Sequence, residues 1–176
     1  MDNSMEGAAS DQIRNGAIRV LDACRRRGLT VATAESCTGG LVSGALTDIP
    51  GSSDVVDRGF VTYSNAAKET MLGVPVGVLE RHGAVSRETA EAMAAGALAH
   101  SGADLAVAIT GIAGPGGGSA EKPVGLVHLA AAARDGRLLH CEKRFGDIGR
   151  STVRARSVSE ALAMLETLAA GAPPAQ

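Results

Sequence analysis

The sequence predicts an α/β fold with a mixed sheet, and three observations carry that expectation. Short β-prone runs alternate along the 176 residues with longer segments of helical periodicity. The run Leu105-Ala106-Val107-Ala108-Ile109-Thr110 is almost unbroken apolar, as in a central strand covered on both faces. An Asp135-Gly136 pair between two further β-prone runs marks a tight hairpin, which adds an antiparallel pairing. The length suits one domain with a full core.

Taken in order, residues 1–10 read as a flexible N-terminus. Residues 11–27 read as a helix with Ile13, Ala17, Val20, Leu21 and Cys24 on one face and Gly28 as its stop. Residues 29–34 form a β-prone run that ends in Glu35-Ser36-Cys37-Thr38-Gly39-Gly40, and residues 41–46 resume helical spacing, so the cluster between them is a strand-to-helix turn. Residues 60–63 read as a second strand and 64–72 as a helix closed by Gly73 and Pro75. Ser86 caps another helix whose Glu88 and Glu91 suit its N-terminal dipole, with Gly102 beyond its end. After the central strand, residues 124–132 and 138–145 form the hairpin, and 151–169 the last helix. Residues 170–176 read as a flexible tail, which leaves one domain over 11–169.

Composition removes several function classes. A net charge of -2 leaves no cationic footprint for nucleic acid, and two Phe and one Tyr give few stacking platforms. Cys24, Cys37 and Cys141 are odd in number and widely spaced, with no zinc-type pairing, which fits a reducing cytoplasm. The N-terminus lacks an apolar signal core, and no run approaches membrane-spanning length.

Three segments carry chemistry. At the strand-to-helix turn, the first N–H groups of a helix have no internal partner, so Ser36 stands beside an oxyanion site; the competing reading is that Ser36 and Thr38 only cap the helix. The run Gly111-Ile112-Ala113-Gly114-Pro115-Gly116-Gly117-Gly118-Ser119 leaves the carboxyl end of the central strand, where open α/β sheets place ligands. It is neither a P-loop nor a dinucleotide fingerprint, and is either a phosphate or carboxamide cradle or a plain surface loop. The third segment is Thr62-Tyr63-Ser64-Asn65-Ala66-Ala67-Lys68, where a lysine with a lowered pKa is able to activate a serine, although a lone lysine on a short helix is ordinarily solvated. His82, His100, His128 and His140 read as structural or surface residues. Cys37 is either a nucleophile or a small core hydrophobe.

These segments, with Pro50-Gly51-Ser52-Ser53, Gly59-Phe60-Val61-Thr62-Tyr63-Ser64-Asn65, His82-Gly83-Ala84-Val85-Ser86 and Lys122-Pro123-Val124-Gly125, resemble the CinA C-terminal domain family in order and spacing from about residue 11 to 169. The resemblance implies a three-layer α/β/α sandwich and a nicotinamide mononucleotide deamidase that uses a serine-lysine mechanism, with no metal and no cofactor. It assigns Ser36 as nucleophile, Lys68 as base and Tyr63 as a positioning or relay group. It places Cys37, Thr38, Gly39, Ser53, Asn65, Thr110, Gly111, Gly114, Arg150 and Arg154 around the substrate, with Ser53 as a second candidate hydroxyl. The family's Gly-Asp-Arg pattern is interrupted by Ile148-Gly149, so either Arg150 or Arg154 is the phosphate ligand. Implied partners are a small nucleotide substrate and further copies of the chain, a dimer first, with neither nucleic acid nor membrane. The other readings of the same pocket are a nucleotide-binding module without turnover and an amidohydrolase for another small amide.

Overall fold

The computed structural model describes residues 3–171. Helix α1 (Asn3–Arg27) leads into β1 (Val31–Glu35) and α2 (Leu41–Thr47), and a single 3-10 turn (Ser52–Asp54) precedes β2 (Val56–Val61). Helices α3 (Asn65–Leu72), α4 (Val76–His82) and α5 (Arg87–Ala99) follow, then β3 (Leu105–Gly111), the hairpin β4 (Leu126–Ala133) and β5 (Leu138–Arg144), and α6 (Arg150–Ala170).

The five strands lie in the order β2-β1-β3-β4-β5, with β3 central as its apolar run requires. The β2-β1 and β1-β3 pairs are parallel, and β3-β4 and β4-β5 antiparallel, so the sheet is mixed. Two buried clusters cover its faces. On one, α1, α2 and α6 pack over Val31, Leu105, Val107, Ile109, Val127 and Leu129. On the other, the three inner strands present alanines to the core (Ala32, Ala34, Ala106, Ala108, Ala130, Ala132) with Phe60 of β2 beside them, which lets the α3–α5 layer approach closely. Gly96 of α5 extends that economy, because a Cβ there would collide with the Leu72 carbonyl at the end of α3. The result is the three-layer α/β/α sandwich.

Local signals place most boundaries. Ser86 Oγ accepts from Thr89 N–H as the cap the sequence predicts, Ser64, read there as the first helical residue, is instead a cap whose Oγ accepts from Ala67 N–H, and Gly73 closes α3 in the left-handed region at φ 65°. Elsewhere the structure departs from the sequence reading. Residues 3–10, expected to be flexible, are the first turns of α1, which continues through Gly7 without a break. Of the tail expected over 170–176, Ala170 instead ends α6 and Gly171 caps it at φ 76°, and 172–176, like 1–2, lie outside the described residues. Strand β2 runs 56–61 rather than 60–63; as an exposed edge it tolerates Asp57, Arg58 and Gly59, which hide its β character. Helix α4 has no counterpart in the sequence reading, because Val76, Gly77 and Val78 are poor helix formers.

The chain passes from β1 through α2 to β2 on one side of β1, and from β2 through α3–α5 to β3 on the other. The carboxyl ends of β1 and β3 therefore flank the topological switch point, the place where open α/β sheets bind ligands.

Candidate active site

Ser36 is the first residue beyond β1 at that switch point, its N–H donating to the Ile109 carbonyl of β3 at 3.0 Å. By strand alternation Ser36 shares the α5-facing side with Ala32 and Ala34, the side on which α3 packs. Lys68, one turn into α3, reaches it there: Nζ donates to Ser36 Oγ at 3.0 Å and to the Thr62 carbonyl at 2.9 Å. Lys68 is 1% exposed and has no carboxylate among its hydrogen-bond partners. Burial lowers its pKa below the ordinary lysine value, opposed weakly by the neighbouring Cys37. A nucleophile-type hydroxyl thus meets an amine biased toward its neutral form.

The turn that carries Ser36 is gripped from two sides. Glu35, fully buried, folds back over the start of α2: Oε2 accepts from Gly40 N–H at 3.1 Å and Val42 N–H at 3.0 Å. Its Oε1 accepts from Ser43 N–H at 2.9 Å and from Thr33 Oγ1 at 3.3 Å. Arg154 of α6 holds the opposite polarity, donating from Nε to the Cys37 carbonyl at 3.1 Å and from Nη2 to the Thr38 carbonyl at 3.0 Å. Gly39 and Gly40, at φ 59° and 100°, supply the left-handed backbone that this tight reversal needs. Sequence reading treated the helix start as open and missed Glu35, whose position at the end of a strand hides a capping role.

The oxyanion site expected at the helix start is corrected accordingly. The Gly40, Val42 and Ser43 N–H groups are occupied by Glu35. The turn retains Cys37 N–H and Thr38 N–H, for which no protein acceptor is found among the described residues. Two hydroxyls are also buried without partners, Thr38 Oγ1 and Thr62 Oγ1. The Cys37 thiol is buried and its pKa pushed up to about 11 by burial, so it stays protonated and packs as a small hydrophobe.

A second arm converges from α6. Arg150 donates from Nη2 to Tyr63 Oη at 3.0 Å and from Nη1 to the Gly114 carbonyl at 3.1 Å, linking the β2-α3 corner to the glycine-rich loop. Tyr63 is 61% exposed at the rim and makes no hydrogen bond to Ser36 or Lys68. Asn65 opens α3 beside it, also exposed. Thr110, at the end of β3 just before Gly111, is buried and donates to the Ala84 carbonyl at 2.6 Å. The two arginines left undecided by the interrupted motif thus divide: Arg154 braces the Ser36 turn, and Arg150 faces Tyr63 and the loop.

Ser53 is not brought into this group. It lies in the 3-10 turn before β2, whose first residue Val56 pairs with Val31 at the start of β1, whereas Ser36 follows the end of β1. The five residues of β1 separate them by roughly 15 Å along the strand direction. No histidine hydrogen-bonds to Ser36 or Lys68, and among the described residues no three His, Cys, Asp or Glu side chains converge in a metal-binding group.

With this geometry in place, comparison with known proteins defines the class. A family model for the CinA C-terminal domain matches residues 14–169. The chain belongs to that family. It is 53% identical over 139 residues to a nicotinamide-nucleotide amidohydrolase PncC of Enterobacter agglomerans, a match covering 78% of this chain and 84% of that one. A CinA-like protein of Synechococcus is 52% identical over 160 residues, covering 90% of this chain and only 37% of the relative, so the chain spans little more than a third of that longer protein. Among solved structures, the competence/damage inducible protein CihA of Agrobacterium tumefaciens superposes with a TM-score of 0.88 at 62% identity, covering 89% of this chain and 95% of that one. A CinA superfamily protein from Klebsiella pneumoniae superposes at 0.85 with 37% identity, over 91% and 99% of the two chains. No helix among the described residues is long and apolar enough to cross a membrane.

Proposed function

We propose that the chain is an amidohydrolase that converts nicotinamide mononucleotide to nicotinic acid mononucleotide and ammonia through a serine-lysine mechanism. The observation that carries this reading is the 3.0 Å contact between Ser36 Oγ and a buried Lys68 amine that lacks an acidic partner. The similarity to the Enterobacter amidohydrolase supports the substrate.

In this mechanism the neutral Lys68 Nζ accepts the Ser36 hydroxyl proton as Oγ attacks the carboxamide carbon. The carbonyl oxygen becomes an oxyanion facing the unpaired Cys37 and Thr38 N–H groups. Collapse breaks the C–N bond, and the proton held on Lys68 passes to the departing nitrogen, which leaves as ammonia. Water then attacks the acyl-serine ester, giving one proton to Lys68; collapse breaks the ester C–O bond as that proton returns to Ser36 Oγ, and the carboxylic acid released loses its own proton to solvent as the carboxylate. A permanently cationic residue would repel the substrate's pyridinium at this point, whereas a neutral amine does not. Arg150 holds Tyr63 and the glycine-rich loop where the nucleotide enters, with Thr110 fixing the wall of the cleft. Bare backbone N–H groups in the loop and the Arg150 guanidinium suit an anionic nucleotide. The family resemblance adds the expectation of a cytoplasmic protein that forms homo-oligomers, a dimer first, and gel filtration tests the oligomeric state.

Incubating the pure protein with nicotinamide mononucleotide and following ammonia tests the reading directly. Ser36→Ala should lower turnover by several orders of magnitude with the fold intact, while Ser53→Ala should leave it near the parent value. Turnover that survives in Ser36→Ala would overturn the assignment.

A further inference from the structure

Beyond the catalytic pair, the same sheet face carries a second basin. Glu35 pairs with Ile109, which sets the next residues, Ser36 and Thr110, at one level; Thr110 pairs with His128, and His128 with Glu142. A cavity of about 410 Å³ opens over the His128 end of this row, between the end of α4, the start of α5 and the segment leading into β4. Neither Ser36, Lys68, Tyr63 nor Arg150 lines it. Val85 and Ser86 form one wall, belonging to the strap whose Ala84 carbonyl is tied to Thr110.

The lining is rich in unused donors. Among the described residues, Arg81, Arg87 and Arg144 each employ only Nε, on the Gly77 carbonyl at 2.9 Å, Glu91 at 2.8 Å and Glu142 at 2.6 Å. The Nη groups of all three are left without acceptors among the described residues. Lys122 Nζ gives one proton to the His82 carbonyl at 2.6 Å. Beneath them His128, only 8% exposed, meets His140 through Nδ1 at 3.1 Å, while its Nε2 stands 3.8 Å from Glu142, too far to hydrogen-bond. Carboxylates are also present: Glu88 lies 3.7 Å from His82 and close to its own helix-start N–H, and Glu121 borders the rim. Guanidinium forks with free Nη pairs match tetrahedral oxyanions bidentately.

We infer that this cavity binds a phosphate-type oxyanion, with Arg81, Arg144 and Lys122 as donors above and His128 beneath. The ring of His128 has the chemistry to respond. Burial lowers its pKa, Lys122 and His140 push the same way, and Glu142 and Glu88 oppose them. A bound anion favours the protonated ring, so affinity should rise as pH falls. The oxyanion is either a free phosphate or the phosphate of the nucleotide substrate.

Sulfate is the probe, because its charge is constant between pH 6 and 8. Calorimetric titration should give saturable binding that tightens several-fold from pH 8 to pH 6. The double variant Arg81→Gln/Arg144→Gln should bind about tenfold more weakly at an unchanged melting temperature, from loss of charge-assisted hydrogen bonds. His128→Gln should retain binding with a clearly weaker pH dependence, and an unchanged dependence would remove His128 from the site. Absence of saturable sulfate binding, or equal affinity in the double variant, would overturn the site whether or not the protein hydrolyses amides. Kinetics separate the sources. If the substrate's phosphate occupies the cavity, the double variant raises KM for nicotinamide mononucleotide and leaves nicotinamide riboside unaffected; if free phosphate does, inorganic phosphate alters turnover without competing with substrate. Either result supports the site.

Discussion

Lys68 Nζ and Ser36 Oγ stand 3.0 Å apart beneath the surface, and the other group the amine touches is a neutral carbonyl, that of Thr62. No carboxylate is among the partners of the amine, and burial lowers the Lys68 pKa against the opposing influence of Cys37. The pH profile follows. kcat/KM should rise as Lys68 loses its proton and reach a plateau below the ~10.4 of a free lysine. Lys68→Arg keeps the charge but cannot give up a proton in this range, and should lose roughly 10²–10⁴-fold in rate while remaining folded by circular dichroism. A well-folded Lys68→Arg enzyme with parent activity would place the base elsewhere.

Glu35 sets a second expectation, because its two carboxylate oxygens accept from three backbone N–H groups and one hydroxyl. Glu35→Gln replaces one acceptor oxygen by an NH2 that faces donors. The change should cost about 2 kcal/mol or more in stability, from charge-assisted bonds lost and N–H groups left unpaired. Its kinetic signature should be a fall in kcat with little change in KM, since the turn that aims Ser36 loosens while the nucleotide contacts stay. Denaturant unfolding beside steady-state kinetics checks both, and a KM-only effect would refute the positioning role.

The Cys37 thiol, one residue from the nucleophile, should be chemically silent. With its pKa near 11 and 5% exposure, it presents almost no thiolate at neutral pH. Cys37→Ala should keep turnover close to the parent at a modest loss of stability, on the order of 1 kcal/mol for the missing sulfur. Thiol-directed alkylation at neutral pH should likewise spare activity. Rapid inactivation that Cys37→Ala prevents would restore the thiol as a candidate nucleophile.

What the sequence made legible were features that act locally. Ser86 caps a helix from one position away, Gly73 stops α3, and the apolar run 105–110 announces a central strand. The pairing of Ser36 with Lys68 came from the family resemblance, because taken locally Ser36 reads as a helix cap after a strand and Lys68 as a solvated side chain on a short helix. Residues whose role depends on tertiary docking were not legible. Arg154 braces carbonyls 116 and 117 positions away in sequence. Glu35 reads as an isolated charge at a strand end until the turn brings α2 back across it. Strand β2 hid because an edge strand lacks the two-sided burial that makes β3 conspicuous.

The buried lysine should also weaken the fold that it serves. Its folded-state pKa is lowered by burial, while in the unfolded chain it titrates near ~10.4. Between the two values the unfolded state holds the extra proton, so stability rises with pH across that window, and below both values the penalty for keeping Lys68 buried is at its largest. Lys68→Met, of similar shape and uncharged, removes the penalty. The variant should melt higher than the parent at neutral pH, and the difference should shrink as pH climbs toward the unfolded-state value. It should also be inactive, because the methionine sulfur cannot take the Ser36 proton. Thermal unfolding of both proteins between pH 6 and 10, read beside ammonia release, tests the two halves together. A difference in melting temperature between the two proteins that stays constant from pH 6 to 10 would mean that folding does not lower the Lys68 pKa, and the neutral-base mechanism would fall with it.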